Sequence, residues 1–198
     1  MTFRTGRKAL LLALPVAMAG MSALAEPRRY TIDPEHFSIV FSVEHIGYQH
    51  QTGLFLDGGG HFTYDEDSGE LADLVVDIDA ASVFTDHDAR DNHVRSKDFL
   101  DAKAHPGIRF VMTSADAIDD RHGTIHGDLT LRGVTLPVDV DVTLNRIGPY
   151  PWGENYVIGI SAGAHLKRSD FGSTYGVEGN LVGDDVQLRF EIEAIRQP

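Results

Sequence analysis

Side chains that could act as acids, bases or metal ligands are concentrated in the segment Arg90–Phe110. The same segment carries apolar and aromatic residues, and loops that combine both often carry function. Imidazole and carboxylate groups serve in general acid–base catalysis and as zinc ligands. One hypothesis is therefore a metal-assisted hydrolase that uses His87, Asp91 and His93.

A second candidate for chemistry is Gly159–Gly163, which matches the G-x-S-x-G pattern of hydrolase nucleophiles. That motif needs a sharp strand-to-helix turn, whereas these residues lie inside an alternating pattern typical of a strand. A catalytic triad in this chain order also needs an acid and then a histidine downstream of the serine. The one histidine that follows Ser161 is His165, and no acidic residue lies between the two. We therefore expect a strand with small residues and no catalytic residues. The chain has no cysteine, which excludes thiolate chemistry.

The elements that would position these residues are strands, because apolar residues recur at every second position over long runs. The alternating runs are Phe37–Val43, Leu74–Ala80, Ile108–Met112, Ile125–Leu131, Val138–Leu144, Tyr156–Ala164 and Val186–Ile192. With residues 50–62 taken as one more strand, turn signals separate about eight strands. Each has one apolar and one polar face, as antiparallel strands do.

Closing eight such strands into a barrel removes both edges of the sheet, so we predict an all-β antiparallel barrel. A barrel of this size is either filled by side chains or holds one small ligand. A β-sandwich is the alternative. We expect one or two short helices at the strand ends, one capped by Asn92 and running toward Phe99, and a second irregular element at Lys167–Gly176.

The first 25 residues have the pattern of a secretory signal peptide, with a basic start, an apolar stretch and the cleavage pattern Ala23–Ala25. We predict cleavage after Ala25 and a single domain over residues 26–198. The signal holds three basic and no acidic residues, so the mature chain is more negative than the formal charge of −13 for the whole sequence. Such a balance disfavours nucleic acid and anionic membrane surfaces as partners. No later segment is apolar enough to cross a membrane, so we expect a protein that is not membrane-integral.

Four motifs, in this order along the chain, together resemble the YceI-like family of polyisoprenoid-binding, lipocalin-like periplasmic proteins. They are Asp33–His45, Arg90–Asp101 followed by Pro106–Phe110, Gly127–Val138 and Lys167–Gly172. The resemblance covers nearly all of the mature chain. One departure is that Phe37 separates His36 from Ser38, which gives His45 more weight than His36 as a functional residue.

The resemblance implies an extended, eight-stranded, lipocalin-like barrel that holds one long isoprenoid-type lipid, such as a polyprenyl chain or a quinone. It also implies a periplasmic location, a homodimer in some members, and no catalytic activity. The resulting hypothesis is a non-enzymatic carrier or sequestering protein with a bound lipid and no other cofactor or metal.

The predicted ligand-binding residues fall into three groups. Apolar residues expected to line the cavity are Phe41, Val43, Val76, Ile78, Phe110, Met112, Leu129, Leu131, Val142, Ile158, Ile160, Leu188 and Phe190. Polar residues expected near its mouth are His45, His93, Arg95, Asp98 and Arg168. Phe99 and Phe171 are expected to close the cavity as apolar plugs. The metal-assisted hydrolase and a stress-related structural protein with a filled barrel remain as alternatives.

Overall fold

Ten strand segments and one short α-helix make up the part of the chain described by the computed structural model, residues 26–198. The strands are β1 (Arg28–His45), β2 (Gln49–Phe55), β3 (Gly58–Tyr64), β4 (Leu71–Asp79), β5 (Val83–Phe84), β6 (Gly107–Ala117), β7 (His122–Leu131), β8 (Val134–Pro149), β9 (Tyr156–Lys167) and β10 (Val182–Arg196). The helix α1 spans Asp88–Arg95, and two 3-10 helices span Ala80–Ser82 and Arg168–Phe171. The predicted signal peptide lies outside the described residues.

The strands form a closed, antiparallel, eight-stranded barrel. The sheet runs β10-β9-β8-β7-β6-β4-β3-β1, and β1 closes it by pairing with β10, where Val43 faces Val186. The all-β barrel prediction is confirmed, and the β-sandwich alternative is wrong because the first and last strands are hydrogen-bonded to each other.

The predicted strand over residues 50–62 is two segments, β2 and β3, which share β1 as their neighbour. The first part of β1 pairs with β3, and its second part pairs with β2. Opposite β10, the register of β1 shifts between Ile32 and Phe37, so the strand carries a bulge there. A bulge bends its strand and increases the local twist, which allows one long strand to serve both partners. The short β5 extends this corner by pairing with β2.

The helix α1 begins earlier than predicted. Its N-cap is His87, whose ring Nδ1 accepts a hydrogen bond from the backbone N–H of Arg90 at 3.3 Å. Asn92 therefore lies inside the helix, and its prediction as the cap is wrong. The predicted irregular element at Lys167–Gly176 contains the 3-10 helix Arg168–Phe171, which ends at Gly172 in the left-handed conformation, φ 76°.

The barrel has two distinct ends. One end carries the turn between β1 and β2, the helix α1 and the long connection between β9 and β10, and we call it the α1 end. The opposite end carries the β3–β4, β6–β7 and β8–β9 turns, and we call it the Glu66 end after a residue of the β3–β4 turn. One buried cluster packs near α1 around Ile39, Phe55 and Phe171, and another lies around Tyr30 and Ile158. No helix within residues 26–198 is long and apolar enough to cross a membrane.

Candidate ligand-binding cavity

A cavity of about 1510 Å³ runs through the barrel interior. Its wall includes Ile46 and His93 at the α1 end and Leu71 and Ile118 at the Glu66 end, so it extends over the full height of the barrel. Pockets for drug-sized ligands usually measure roughly 300–1,000 Å³. This cavity is larger than that, and the alternative of a barrel filled by its own side chains is wrong.

Most of the predicted residues lie on the wall of this cavity. They are Phe41, Val43, His45, Val76, Ile78, His93, Phe99, Phe110, Leu129, Leu131, Val142, Ile158, Ile160, Arg168, Leu188 and Phe190. Alternation explains the agreement, because every second residue of a barrel strand points inward. Contact of these residues with a ligand stays a prediction.

Two of the predicted polar residues hold the α1 segment together and do not line the cavity. The Arg95 guanidinium donates to the backbone carbonyls of Ala81 and Val83, both at 2.7 Å. The Asp98 carboxylate lies 3.0 Å from Nε2 of His93 and does not line the cavity. Their prediction as ligand contacts is corrected accordingly: Arg95 fixes α1 to β5, and Asp98 fixes the ring of His93.

Two predicted apolar residues also fall outside the wall. The register between β6 and β7 shifts directly after Met112, and the wall continues with Ala115 and Ala117 instead. Phe171 is buried in the cluster near α1 and does not reach the cavity. It belongs to the same buried cluster as Ile39 and Leu129, which line the cavity, so it is a core residue of this end that does not itself form the cavity wall.

The three residues of the hydrolase hypothesis do not converge. The carboxylate of Asp91 is buried and accepts hydrogen bonds from the N–H and the hydroxyl of Thr85, at 2.7 and 2.5 Å. His87 caps the helix, and His93 pairs with Asp98. Each side chain has its own structural partner, so the loop does not assemble the metal site that the hypothesis requires.

Among residues 26–198, the side chains whose ligand atoms lie close enough together to hold one metal ion are those of Asp33, His36 and Glu193. They lie at the bulge of β1, outside the cavity wall, and His36 Nδ1 is 2.9 Å from Asp33 and 3.9 Å from Glu193. His36 is thus separated from the cavity, whereas His45 lies on its rim.

Three arginines of the α1 end line the cavity, and the sequence pattern singled out one of them, Arg168. Arg168 donates to the carbonyls of Gly183, Ser173, Tyr175 and Val182 at 2.7–2.9 Å. Burial lowers the pKa of Arg168, and the nearby carboxylate of Asp184 partly offsets this lowering. These bonds fix the β9–β10 connection against the barrel rim.

The other two arginines, Arg90 and Arg132, also bind backbone carbonyls. Arg90 donates to the carbonyl and hydroxyl of Thr85 at 2.7 and 2.8 Å, and Arg132 donates to the carbonyls of Lys97, Phe99 and Phe171. Within the described part of the chain, none of the three arginines forms an ion pair with a carboxylate. All three thus place a positive charge on the cavity wall while their N–H groups bind protein oxygens.

An aromatic cluster joins α1 to the β9–β10 connection. The rings of His93, Phe99 and Tyr175 lie 5.0–5.3 Å apart, and the Arg168 guanidinium lies 5.5 Å from the centre of the Phe99 ring. Edge-on contacts at these distances are favourable. The cluster holds the two irregular segments together over part of the mouth.

At the other end, Glu66 ties together segments that are far apart in sequence. Its carboxylate accepts hydrogen bonds from the hydroxyls of Tyr30 at 3.0 Å and Tyr156 at 2.7 Å, and it pairs with Arg196 at 3.3 Å. The Arg196 guanidinium in turn lies 3.9 Å from the centre of the Tyr156 ring. Burial and the hydrogen bond to Glu66 raise the pKa of Tyr30. The sequence pattern gave no signal for this network, because each member lies on a different element.

The charges on the cavity wall are segregated between the two ends. Arginines 90, 132 and 168 lie at the α1 end, with Glu44 as the acidic residue among them. The acidic residues of the Glu66 end are Glu66, Asp67, Glu70, Asp116, Asp119 and Asp120, with Arg121 among them. The wall between the two ends is mostly apolar.

The described residues thus form a closed antiparallel barrel with a large, mostly apolar cavity and charged ends, a lipocalin-like architecture. The sequence model of the YceI-like domain matches residues 30–194, so the chain belongs to the YceI-like family. A UPF0312 protein of Pseudomonas putida is 35% identical over 192 residues, covering 96% of both chains. A UPF0312 protein of Pectobacterium atrosepticum is 36% identical over 193 residues, covering 96% of this chain and 98% of its own.

Solved structures share the fold. The YceI protein of Campylobacter jejuni is 27% identical, with a TM-score of 0.69, and the match covers 95% of this chain and all of that one. Burkholderia cenocepacia BcnA matches with a TM-score of 0.73 at 22% identity, over 82% of this chain and 98% of its own. A polyisoprenoid binding domain from Saccharophagus degradans matches with a TM-score of 0.65 at 16% identity, over 85% and 98%.

Proposed function

We propose that this protein is a non-enzymatic periplasmic protein that carries or sequesters one long isoprenoid-type lipid, a polyprenyl chain or a quinone. The observation that carries the proposal is the apolar cavity of about 1510 Å³ that extends from one end of the barrel to the other. Membership of the YceI-like family supports it, as does the likeness of fold to a polyisoprenoid binding domain.

The dimensions of the barrel suit a linear chain. The strand β10 has 15 residues; at roughly 3.3 Å per residue and a tilt of about 35–45°, it rises about 35–40 Å along the barrel axis. A narrow cavity of that height accommodates an extended chain better than a compact molecule. Each buried methylene contributes about 0.8 kcal/mol, so the apolar wall alone supplies a large favourable free energy.

The segregated charges support one orientation for the lipid. Carbonyl or anionic oxygen atoms of a head group interact favourably with Arg90, Arg132 and Arg168 at the α1 end. The same atoms are repelled by the carboxylates around Glu66. The head group therefore lies at the α1 end, near His93, and the apolar tail extends toward the Glu66 end.

The test is to purify the mature protein from its native periplasm and extract it with organic solvent for mass spectrometry. We expect one isoprenoid lipid per chain, and the delipidated protein should rebind added polyprenol or ubiquinone. An extract without lipid, together with no binding of either compound, would overturn the proposal. Cell fractionation and N-terminal sequencing test the location and the cleavage after Ala25.

A further inference from the structure

Four large apolar side chains are exposed on neighbouring loops of the α1 end. Their exposed fractions are 46% for Ile46, 89% for Tyr48, 46% for Tyr175 and 49% for Leu181. The loops adjoin, since His45 pairs with Val182 and the N–H of Leu181 donates to the carbonyl of Gly176 at 2.9 Å. We call these four residues the apolar rim.

The backbone conformation of Ile46 indicates that an isoleucine at this position does not serve the stability of the fold. The turn His45–Tyr48 has positive φ at both central residues, 52° at Ile46 and 70° at Gly47, and is closed by a hydrogen bond of 3.0 Å. Turns of this type favour Asn-Gly, and the left-handed region is sterically unfavourable for a β-branched residue. An exposed isoleucine thus costs folding stability here without contributing to the core.

The apolar rim is continuous with the cavity. Ile46, Tyr175 and Leu181 are exposed on the outside and also line the cavity wall. These three side chains therefore connect the exterior to the space proposed for the lipid, beside the polar residues of the same mouth. At the opposite end, Ile118 is also exposed and lines the cavity, but Asp116, Asp119 and Asp120 surround it.

We propose that the apolar rim docks on the surface of a phospholipid bilayer, so that the mouth of the cavity opens onto the membrane. The inference rests on the proposed lipid-binding function, because a long apolar chain that passes directly from bilayer to cavity avoids exposure to water. Tyrosine favours the bilayer interface, where its ring is buried and its hydroxyl stays wet. Aliphatic side chains such as Ile46 and Leu181 insert more deeply.

The charge distribution selects the kind of bilayer. The arginines of the α1 end line the cavity at the end that carries the apolar rim, whereas the acidic residues around Glu66 lie at the opposite end. The mature chain, more negative than the −13 of the whole sequence, is repelled by a strongly anionic surface. Docking is therefore weak, reversible and strongest on zwitterionic phosphatidylcholine, and it depends little on salt because apolar contacts dominate.

The single tryptophan of the chain reports the docking orientation. Trp152 lies on the β8–β9 turn at the Glu66 end, and 76% of it is exposed. With vesicles of brominated phosphatidylcholine, we expect no quenching of Trp152 in the wild-type protein. In the double variant Tyr48→Trp, Trp152→Phe, we expect quenching and a blue shift. Quenching of Trp152 but not of the tryptophan at position 48 would overturn the proposal.

Variants of the rim separate docking from folding. Ile46→Asn suits the turn better, so it should fold at least as well as wild type, yet it should lower the vesicle partition coefficient about tenfold or more. Leu56→Asn is the matched control, because Leu56 is 66% exposed on the barrel side and lies outside the cavity wall. It should bind vesicles as wild type does. Equal binding by Ile46→Asn and wild type would contradict the proposal.

A second variant separates docking from lipid binding. Tyr48 does not line the cavity, so Tyr48→Ser should leave equilibrium binding of cyclodextrin-delivered ubiquinone unchanged while slowing its uptake from vesicles about tenfold. If wild type binds no lipid from either source, the proposed function fails, whereas vesicle docking is still measured independently by quenching. Sedimentation that shows a dimer dissociated by Ile46→Asn, without vesicle binding, would assign the rim to a second copy and overturn the docking proposal.

Discussion

The carboxylate of Glu66 accepts a hydrogen bond of 2.7 Å from the hydroxyl of Tyr156, which lies 90 residues further along the chain. This bond, with those from Tyr30 and Arg196, joins the β3–β4 turn to β1, β9 and β10. At the α1 end, by contrast, arginines bind backbone carbonyls and the apolar rim is exposed. Both ends are thus held by side-chain contacts, but the exposed apolar rim lies at the α1 end, so the α1 end is where we expect exchange of lipid.

Replacing Glu66 should destabilise the barrel. Glu66→Ala leaves the hydroxyl of the fully buried Tyr30 without its partner, which costs about 1–3 kcal/mol in the free energy of unfolding. Denaturant unfolding followed by circular dichroism measures this change. Glu70→Ala removes the same charge from the same turn and should change the stability by less than about 0.5 kcal/mol. Equal losses in the two variants would show that the network does not stabilise the end.

The same network predicts a loss of stability in alkali. The ordinary pKa of a tyrosine is 10.0, and both tyrosines of the network lie above it. Burial is the main cause for Tyr30 and the hydrogen bond to Glu66 is the main cause for Tyr156. The folded state then holds these protons more tightly than the unfolded state. The stabilisation is fully present below pH 10.0 and is lost as the pH rises through the folded-state pKa values. Burial also raises the pKa of Tyr64, so ultraviolet titration should show three tyrosines that ionise late. In Glu66→Gln the pKa of Tyr156 should fall toward 10.0.

His126 should titrate above its ordinary range. Hydrogen bonds to Asp139 at 2.6 Å and Asp116 at 3.1 Å raise its pKa from 6.5. The protonated imidazole therefore favours the folded state below pH 6.5, and this small surface contribution is lost as the pH rises through the folded-state pKa. Nuclear magnetic resonance of the imidazole protons measures the shift. In Asp139→Asn the pKa should move back toward 6.5, and an unchanged value would contradict the assigned cause.

Asp91 should control the order of the α1 segment without controlling the barrel. Asp91→Ala removes the buried acceptor of both Thr85 hydrogen bonds, at a cost of about 1–3 kcal/mol. Hydrogen exchange should accelerate over residues 85–96 while β7, β8 and β9 keep their protection. Asp88→Ala, an exposed change that also removes a carboxylate from the same helix, is the control. Uniform acceleration through the whole chain would indicate that α1 is part of one cooperative unit with the barrel.

The barrel and much of its cavity wall could be predicted from sequence because inward residues of a strand recur with period two. Residues such as Val142 and Leu188 therefore fall on the wall as predicted. The pattern fails at irregularities: a bulge follows Met112, and the break between β2 and β3 lies between two runs that look continuous. Strand periodicity carries no information about such local shifts in register.

Polar contacts were harder to predict than apolar ones. Arg95 and Asp98 have the right residue types for a ligand site, but their partners are backbone carbonyls and His93. The start of α1 was misplaced because His87 is an uncommon N-cap residue. The Glu66 network depends on residues brought together only by barrel closure, so no local pattern marks it.

The most direct test of the central claim is the lipid stoichiometry of a variant with an obstructed cavity. Ala162 lies on the wall between Val142 and Phe190, so Ala162→Trp places a large ring where the lipid chain should run. His165→Trp adds the same ring to the exposed outer face of β9 and is the matched control. By native mass spectrometry, we predict one lipid per chain in wild type and His165→Trp and a loss of at least tenfold in Ala162→Trp. Equal lipid content in folded Ala162→Trp and wild type would contradict the account.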